Sequence, residues 1–234
     1  MKMEDIPLFL LAGGFGTRLS SVVKDVPKPL APIHGRPFLA YLLENYRRQG
    51  IRQFVFLVHH KAELMKAFME EEKRQGVLKG CDVKLIEEYE PLGTGGAVKA
   101  ALEELSGIGH FLVANADTYL SAGIAEVLST DAPAIATVWQ ENTARYGSLK
   151  TEGTNITQFI EKSPNAGAGW INAGLYSLHK RLFDKMPAGP FSIENTLFPE
   201  LLEQKILKFA AIDGDFIDIG IPEDYEKCKQ YLKP

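Results

Sequence analysis

The sequence predicts an α/β fold with three layers, α/β/α, around a mixed, mainly parallel central sheet. In the first half, short apolar runs typical of buried strands alternate with longer amphipathic segments typical of helices. Because a strand–helix–strand order requires crossover connections, these strands should be parallel and covered on both faces. After Trp139 the segments become short and rich in turn residues, which indicates added antiparallel strands.

The elements of the first half follow from the spacing of its apolar residues. Segment 36–50 has apolar residues at i, i+3, i+4 and i+7 spacing, which predicts a helix, and Gly50 suits a left-handed stop. A stripe of methionine and aromatic residues in segment 62–72 predicts a second helix that packs on the core. The predicted strands are 7–12, 54–58, 83–88, 110–117 and 135–139, and the predicted helices are 36–50, 62–72 and 96–105.

The second half is predicted to add further strands and two helices. Ser192 suits the N-cap of one helix because its hydroxyl can accept a free N–H group of the first turn. Pro222 lies just ahead of the closing helix, where its fixed φ is favourable. We expect a pair of antiparallel strands around a turn at 152–155, a strand at 168–178, strands at 207–212 and 215–220 on either side of the turn Asp213–Gly214, and helices at 192–204 and 223–232.

The composition excludes several classes of function. The 234 residues are 45% hydrophobic and 24% charged, with a formal net charge of −4, which argues against general binding to nucleic acid or to an anionic membrane. No apolar run approaches the ~20 residues that a membrane span needs. The N-terminal stretch MKMEDIP carries acids and lacks the features of a signal peptide, so we expect a cytoplasmic protein. Cys81 and Cys228 have no CxxC spacing and are expected to be reduced thiols.

The glycine-rich stretch LLAGGFGTRL, residues 10–19, does not match the two general phosphate-binding loops. No Lys-Ser/Thr pair follows, as a Walker A loop requires, and Leu19 stands where a dinucleotide fingerprint has its third glycine. Its glycines would still let backbone N–H groups approach an anion, and Arg18 could bind phosphate oxygens in a bidentate manner. A tight strand-to-helix turn with a solvated arginine explains the stretch equally well.

The segment DVPKPLAPI, residues 25–33, holds Lys28 between two prolines. A lysine in so stiff a segment loses less conformational freedom when it binds a ligand, although an exposed lysine in a proline-rich loop is the alternative. The combination GGxGTRL followed by PKP resembles the signature of the sugar-1-phosphate nucleotidylyltransferases. The resemblance implies an enzyme with a Rossmann-like fold of the nucleotide-diphospho-sugar transferase type. It also implies a single domain, 1–234, with a nucleotide-binding half over about 1–139 and a sugar-binding half over about 140–234.

The same resemblance implies the nucleotide-binding residues. The signature would bind the triphosphate and the leaving pyrophosphate, and EPLGTGGAV, residues 90–98, resembles the loop that recognises the base. Its glycines would let a flat base stack close to the backbone, and Glu88 and Thr94 would read the edge of the base. The implied nucleotide-binding residues are Leu11, Ala12, Gly13, Gly14, Gly16, Thr17, Arg18, Lys28, Glu88, Pro91, Leu92, Gly93, Thr94 and Asn115.

The metal and sugar sites are implied by shorter motifs whose order and spacing match the family. Asn115–Asp117 resembles the family's N-G-D motif, with Ala116 in place of the usual glycine, and its aspartate would hold Mg²⁺ together with Asp218 of the DIG motif. Each of the sugar motifs YG, EK and NAG is common when it occurs alone. They imply a sugar-phosphate site made of Tyr146, Gly147, Glu161, Lys162, Asn172 and Gly174.

The implied reaction is the attack of a sugar-1-phosphate oxygen on the α-phosphorus of a nucleoside triphosphate, with pyrophosphate as the leaving group. A phosphate monoester is largely ionised at neutral pH, since its second pKa is ~6, so the reaction needs no general base. Positioning and electrostatics supply the catalysis. The expected catalytic residues are Arg18 at the pyrophosphate, Lys28 at the α-phosphate and Asp117 at the metal ion. Lys162 would hold the sugar phosphate, and Glu161 and Asn172 would bind sugar hydroxyl groups.

The fine pattern of these motifs most resembles the D-glycero-α-D-manno-heptose 1-phosphate guanylyltransferases, which make GDP-heptose for surface polysaccharide or S-layer glycans. Transfer to mannose 1-phosphate and other pyrophosphorylases of the family remain alternatives, because nothing in the spacing selects guanine. A non-catalytic nucleotide-sugar sensor would be expected to lack Arg18, Lys28 or one of the aspartates, and all of them are present. A cytidylyl- or molybdopterin-type transferase shares the glycine loop but not the PKP segment.

The expected partners are small-molecule substrates, and a homodimer is a family-based expectation.

The pair His59-His60 ends the second predicted strand at the expected ligand edge of the sheet. Adjacent strand residues point to opposite faces, so the pair is poorly placed to chelate one metal ion. We expect polar residues at a strand end, one of which is a candidate to contact the nucleotide.

Overall fold

The computed structural model describes residues 2–14, 16–19, 21–160, 162–164 and 167–233, and the side chain of Thr17 also lies outside the described part. The strands are β1 (Pro7–Leu11), β2 (Pro32–Ile33), β3 (Arg36–Pro37), β4 (Gln53–Val58), β5 (Asp82–Glu87), β6 (His110–Asn115), β7 (Thr118–Leu120), β8 (Ala134–Gln140), β9 (Ser148–Glu152), β10 (Asn155–Ile160), β11 (Gly169–His179), β12 (Lys208–Ala211) and β13 (Phe216–Asp218). The α-helices are α1 (Phe38–Arg48), α2 (Ala62–Arg74), α3 (Gly93–Glu104), α4 (Ile124–Ser129), α5 (Phe198–Glu203) and α6 (Pro222–Tyr231).

One large mixed sheet joins strands from both halves of the chain. Its order is β5-β4-β1-β6-β11-β8-β12-β10-β9. The pairings of β5 with β4, β4 with β1, β1 with β6 and β8 with β12 are parallel, whereas β11 and β10 pair antiparallel to their neighbours. The strands of this large sheet other than β10 and β11 therefore all run in one direction. The predicted mixed, mainly parallel sheet is confirmed.

Side chains of β1 alternate between two separate cores. Leu8 and Leu10 pack in one cluster with residues of α1, α2, α4 and α6, whereas Phe9 packs in a second cluster with residues of α3 and α5. All three side chains are fully buried. Because successive strand residues point to opposite faces, a continuous apolar run contributes side chains to both cores. The predicted three-layer arrangement follows from this alternation.

The two strands flanking Asp213–Gly214 do not form a hairpin. Strand β12 pairs with β8 and β10 in the large sheet, whereas β13 pairs with β7 in a small sheet of its own. Ser121 fixes the connecting segment because it exchanges hydrogen bonds with Asp215, through Ser121 N to Asp215 O at 3.0 Å and Asp215 N to Ser121 Oγ at 2.8 Å. The expectation of two strands is correct, but they belong to different sheets.

Helix α3 begins at Gly93, three residues before its predicted start at 96. Phe191 explains the glycines of this first turn, because its carbonyl accepts the N–H of Gly95 at 2.9 Å and its ring lies against the helix. A Cβ on Gly95 would lie 2.1 Å from Phe191 Cε2, and one on Gly96 would lie 2.6 Å from the Gly189 carbonyl oxygen. These glycines thus serve the close packing of segment 189–191 on α3.

The two cysteines are free thiols, as predicted, with Cys228 buried in a core and Cys81 half-buried. Burial raises the pKa of the Cys228 thiol to about 12, so this side chain stays protonated and behaves as a small apolar group. Within the described ranges, no helix is both long enough and apolar enough to cross a bilayer.

We expect Gly95→Ala to lower the free energy of unfolding by about 1–2 kcal/mol, because the new methyl group must displace the buried Phe191 ring. This net loss already includes the gain of about 1 kcal/mol in helix propensity when alanine replaces glycine. Gly14→Ala is the matched control, since no atom lies within 4 Å of a Cβ built there. Urea unfolding measures both; equal stability of Gly95→Ala and the wild type would contradict this packing.

Candidate active site

The loop after β1 approaches Lys28 and Glu88 at its glycines. Gly16 has φ of +62°, and a Cβ there would lie 3.1 Å from Lys28 Cβ, so a side chain would disturb both the backbone and the contact. A Cβ on Gly13 would lie 3.0 Å from Glu88 Oε1, whereas the space at Gly14 is open. The glycines therefore bring this loop against Lys28 on one side and Glu88 on the other.

A cavity of about 180 Å³, the loop cavity, lies in front of these glycines. The backbone of Thr17 belongs to a 3₁₀ turn, Thr17–Leu19, that carries Arg18 at the rim, while the predicted role of the Thr17 side chain lies outside the described part. The cavity brings together the predicted loop residues, the predicted lysine and one predicted aspartate. It is lined by Leu11, Ala12, Gly14, Gly16, Arg18, Lys28, Pro29, Asp117 and Gly220.

Lys28 lies between the two predicted metal-binding aspartates. Its ammonium donates to Asp117 Oδ2 at 2.5 Å and lies 3.5 Å from Asp218 Oδ1. The lysine side chain is 9% exposed, against 35% for Asp117 and 19% for Asp218. The alternative of an exposed lysine in a proline-rich loop does not hold, because this lysine is a buried cation shared by two carboxylates.

The two aspartates meet because β13 pairs with β7. In the antiparallel register Asp218 is opposite Thr118, the residue that follows Asp117. The backbone N–H of Ile219 also donates to the Asp117 carbonyl at 3.1 Å. Asp117 follows the carboxyl end of β6, which is the edge where open α/β sheets bind ligands.

The two carboxylates provide a site that suits a divalent cation. Burial raises the pKa of the Asp218 carboxyl above its ordinary value, the Lys28 ammonium opposes this shift, and the nearby Asp117 carboxylate adds to it. Bringing another positive charge to such a pair is favourable. Hard carboxylate oxygens on only one or two side chains are also what Mg²⁺ prefers, since it keeps waters and binds substrate phosphates. The residues present therefore fit a divalent metal ion.

Ala116, which replaces the usual glycine of the N-G-D motif, points away from the cavities. Its methyl group is fully buried in the core that contains Leu8 and Leu10. Its backbone N–H donates to the Leu11 carbonyl at 3.2 Å. The substitution therefore adds a buried methyl group to the core and leaves the surface of the site unchanged.

A second cavity, of about 420 Å³, continues from the loop cavity towards α3 and is called the α3 cavity. Glu88 is half-buried on its wall, where burial raises the pKa of the carboxyl while the Leu92 N–H, 3.0 Å from Glu88 Oε2, opposes the shift. The cavity gathers most of the residues predicted to bind the base and ribose. It is lined by Leu11, Gly13, Gly14, Leu57, His59, Glu88, Pro91, Gly93, Thr94, Ala97, Asn115, Asp117 and Glu194.

A third cavity, of about 640 Å³, lies beside β10 and β11 and is called the β10 cavity. Four of the predicted sugar-binding residues line it, namely Tyr146, Gly147, Lys162 and Asn172. Glu161, also predicted to bind the sugar, lies outside the described residues. Gly174 does not line this cavity: its N–H donates to Asn172 Oδ1 at 2.8 Å, and a Cβ there would lie 2.6 Å from Asn115 Nδ2.

Tyr146 and the preceding Arg145 connect the β10 cavity to the C-terminal helix. Arg145 forms an ion pair with the buried carboxylate of Asp224 in α6, and its guanidinium lies 5.2 Å from the centre of the Tyr146 ring. The Tyr146 ring also meets Phe216 of β13 edge-on at 5.5 Å. These contacts hold the YG segment in place next to the strand that carries Asp218.

Glu194 is a site residue that the sequence did not predict. It lines both the α3 cavity and the β10 cavity. Burial and the nearby Glu194 carboxylate hold the pKa of Tyr176 well above its ordinary value, so the phenol remains a donor to Glu194. The sequence signal was an acidic residue two positions after the Ser192 N-cap, and such a residue is usually explained by the helix dipole.

The two histidines point to different places, as their strand-end position predicts. His59 lines the α3 cavity and its Nδ1 lies 2.8 Å from the Glu88 carbonyl oxygen, whereas His60 lines a small separate cavity near Lys24 and Lys61. Over the part of the chain that is described, no group of three or more His, Cys, Asp or Glu residues could hold a metal ion.

The chain is similar to known proteins over almost all of its length. A family model described as "Nucleotidyl transferase" matches residues 8–233. A D-glycero-α-D-manno-heptose 1-phosphate guanylyltransferase of Campylobacter jejuni is 34% identical over 222 residues, which covers 92% of this chain and 95% of the relative. A probable mannose-1-phosphate guanylyltransferase of Oryza sativa is 31% identical over 92% of this chain but only 62% of its own length.

A solved structure has the same fold. The crystal structure of HddC from Yersinia pseudotuberculosis complexed with GMP-PN superposes with a TM-score of 0.84 at 34% sequence identity, over 97% of this chain and 100% of that chain. The family match spans almost the whole chain and includes every residue of the three cavities. Enzymes of this family generally use a divalent metal ion. The chain is therefore an enzyme that belongs to the nucleotidyl transferase family.

Proposed function

We propose that this enzyme transfers the guanylyl group of GTP to D-glycero-α-D-manno-heptose 1-phosphate, releasing pyrophosphate and forming GDP-heptose. One observation carries the proposal: the cluster of buried Lys28 with Asp117 and Asp218 stands at the loop cavity, which continues into the α3 cavity, and the α3 cavity borders the β10 cavity at Glu194. The choice of base and sugar is supported by the name of the Campylobacter relative, which is similar over almost its full length.

The proposed reaction needs no proton-abstracting side chain. The sugar-1-phosphate oxygen attacks the α-phosphorus of GTP, the new P–O bond forms, and the bond to the β-phosphate oxygen breaks with release of pyrophosphate. The attacking phosphate is largely ionised at neutral pH because its second pKa is ~6. The obstacle is the repulsion between two anions, so the residues of the site act by neutralising charge and by positioning.

Cations of the loop cavity are proposed to neutralise the phosphates. Arg18 would bind the β- and γ-phosphates as they leave, together with backbone N–H groups of Gly13, Gly14 and Gly16. Lys28 would contact the α-phosphate and the attacking phosphate. Prolines on both sides of Lys28 restrict its backbone, so less conformational freedom is lost when it binds the phosphates.

Asp117 and Asp218 are proposed to hold Mg²⁺. When bound, this ion would neutralise charge on the α-phosphate and the attacking phosphate. Lys28 would then leave the aspartates for the substrate phosphates, which compete for the same ammonium. The wall beside the aspartates leaves no room for a side chain at Gly220, where a Cβ would lie 2.8 Å from Asp218 Oδ1.

The α3 cavity is proposed to hold the base and ribose. Glu88 supports the choice of guanine, because its carboxylate is an acceptor and the edge of guanine carries the N1–H and N2–H donors. Pro91, Gly93 and Asn115 line this cavity, where Pro91 and Gly93 would stack on the base and Asn115 would contact the ribose. Leu92 acts through its backbone N–H, which orients Glu88. The Thr94 hydroxyl donates a hydrogen bond to Glu194. We therefore propose that Thr94 positions Glu194 in the cavity wall and does not contact the base.

The β10 cavity is proposed to hold the sugar phosphate. Lys162 would bind the phosphate, and Asn172, Tyr146 and the backbone of Gly147 would bind sugar hydroxyl groups. Glu161 keeps its predicted role next to Lys162. On this proposal the chain is one nucleotidyltransferase domain in which residues 1–139 bind the nucleotide and residues 140–234 bind the sugar. A homodimer stays a prediction, and a cytoplasmic location is supported by the nucleoside triphosphate substrate.

A mannose-1-phosphate guanylyltransferase is the second candidate, because the rice relative carries that name. The Campylobacter relative is 34% identical to this chain, against 31% for the rice relative, which supports heptose. A nucleotide-sugar sensor would not need the buried Lys28–aspartate cluster, since binding alone does not require charge stabilisation during bond breaking.

Substrate preference tests the proposed function directly. Pyrophosphate release is measured with each of the four nucleoside triphosphates against heptose, mannose and glucose 1-phosphates. We expect kcat/KM for GTP with the heptose to exceed that of the other pairs by about tenfold or more, since the added carbon and hydroxyl group must be recognised. A higher kcat/KM with mannose 1-phosphate would favour the second candidate.

Replacement of one metal-binding carboxylate should abolish most of the turnover. We expect Asp117→Asn to lower kcat by roughly 100-fold or more while it preserves the size of the side chain. The Mg²⁺ concentration needed for half-maximal rate should rise as well. Asp184→Asn is the matched control because Asp184 is exposed and lines none of the three cavities. Turnover near the wild-type level in Asp117→Asn would remove the metal assignment.

Gly14→Ala should weaken binding of the nucleotide without weakening the fold. Gly14 lines both the loop cavity and the α3 cavity, and its Cβ position is in open space. We expect the dissociation constant for GTP, measured by calorimetry, to rise about tenfold because a methyl group separates the backbone from the phosphates. The melting temperature without ligand should stay at or above that of the wild type. Unchanged GTP affinity would mean that the phosphates lie elsewhere.

A further inference from the structure

Glu194 occupies the wall between the two larger cavities. Among the described residues that line the α3 cavity and the β10 cavity, Glu194 is the only one shared by both. On the α3 side it lies with Thr94 and Asn115, and on the β10 side with Asn172 and Lys162. A substrate group held by this carboxylate would therefore lie where the two substrates meet.

Three hydroxyl groups fix the carboxylate in place. Glu194 Oε2 accepts from Thr94 at 2.8 Å and from Ser192 at 2.7 Å, and Oε1 accepts from Tyr176 at 3.1 Å. These donors come from α3, from the segment before α5 and from β11. A carboxylate has about four acceptor positions, two on each oxygen. Both positions on Oε2 are used, and one position on Oε1 has no partner among the described residues.

The hydroxyl groups around Glu194 already donate their hydrogen bonds to protein partners. The Thr94 hydroxyl donates to Glu194 and accepts from the Ile193 N–H at 2.9 Å. Tyr176 donates to Glu194 and accepts from Asn172 Nδ2 at 3.0 Å. Asn172 Oδ1 in turn accepts from the Gly174 N–H. Among the described residues, the Thr94 and Tyr176 hydroxyl donors are thus engaged, and one acceptor position on Glu194 Oε1 and the second N–H of the Asn172 amide are available to a ligand.

We propose that Glu194 is a binding residue for the sugar 1-phosphate, accepting a hydrogen bond from one sugar hydroxyl group. This inference rests on the proposed nucleotidyl transfer. A hydroxyl group both donates and accepts, so it complements the remaining acceptor of Glu194 and the remaining donor of Asn172 at once. A hydrogen bond to a carboxylate is also stronger than one between neutral groups.

The charge of Glu194 also orients the sugar. A sugar 1-phosphate has an anionic end and a face of neutral hydroxyl groups. The carboxylate repels the phosphate and attracts a hydroxyl group, whereas Lys28 and Lys162 attract the phosphate. Glu194 thus selects one orientation of the sugar, with the phosphate towards the lysines.

The test compares Glu194→Gln with the wild type on a series of singly deoxygenated sugar 1-phosphates. The wild type must lose at least about tenfold in kcat/KM with one analogue, the one that lacks the partner hydroxyl group. Glu194→Gln should raise KM for the intact sugar 1-phosphate by roughly tenfold or more, with KM for GTP changed by less than about twofold. With that one analogue, the variant and the wild type should have similar kcat/KM.

The matched control is Glu200→Gln, which removes an exposed carboxylate of α5 that lines none of the three cavities. It should leave both KM values unchanged. A merely structural role of Glu194 would raise both KM values, or would give the same loss with every analogue, and either result overturns the proposal. If Glu194→Gln does not fold, the wild-type series decides alone, because tolerance of every deoxygenation within about twofold also overturns it.

The wild-type arm separates this inference from the proposed function. If the wild type prefers another sugar 1-phosphate, heptose is wrong and the deoxygenated series of the preferred sugar tests Glu194. If the wild type turns over GTP with a sugar 1-phosphate but the Glu194 pattern is absent, only the inference fails. If no triphosphate reacts with any sugar 1-phosphate, the proposed function and the inference both fail.

Discussion

The buried ammonium of Lys28 between Asp117 and Asp218 is the interaction on which the site depends. Each partner comes from a different part of the chain, and each would be costly to bury alone. The lysine is presented by a rigid Pro-Lys-Pro segment that packs against Gly16, and the aspartates are aligned by the pairing of β7 with β13. Removal of any one of the three charged side chains changes the net charge of the cluster and leaves the remaining charges less well compensated. One charge cluster therefore lies where the glycine loop, the small β7–β13 sheet and the central sheet meet.

Much of the fold could be predicted because it follows from local periodicity. The strand through Leu8, Phe9 and Leu10 is apolar on both faces, and the structure buries both. The direction and pairing of distant strands could not be read in this way. Strand β12 and strand β13 are neighbours in sequence but lie in different sheets, because Ser121 fixes the connection through Asp215. Sequence spacing contains no information about that long-range contact.

The site divides in the same way. Motifs with unusual composition, such as the glycine loop and the Pro-Lys-Pro segment, were enough to single out Arg18 and Lys28, both of which line the loop cavity. Glu194 carried almost none, because a glutamate at the beginning of a helix has an ordinary local explanation. Its contacts with Thr94 and Tyr176 span long sequence separations and exist only in the folded chain. Thr94, predicted to read the base, donates to Glu194, and Asn172, predicted to bind the sugar, donates to Tyr176, which in turn donates to Glu194.

The pairing of β13 with β7 has a consequence for the order in which the enzyme becomes competent during its synthesis. Asp117 leaves the ribosome long before Asp218, and the strand opposite Thr118 is made only after β8 to β12. A nascent chain that has completed the glycine loop, Lys28 and β6 still lacks half of its carboxylate pair. It can therefore bring Lys28 towards Asp117 but cannot assemble the full charge cluster. The carboxylate pair exists only once β13 has paired with β7, after the strands of the large sheet have been synthesised.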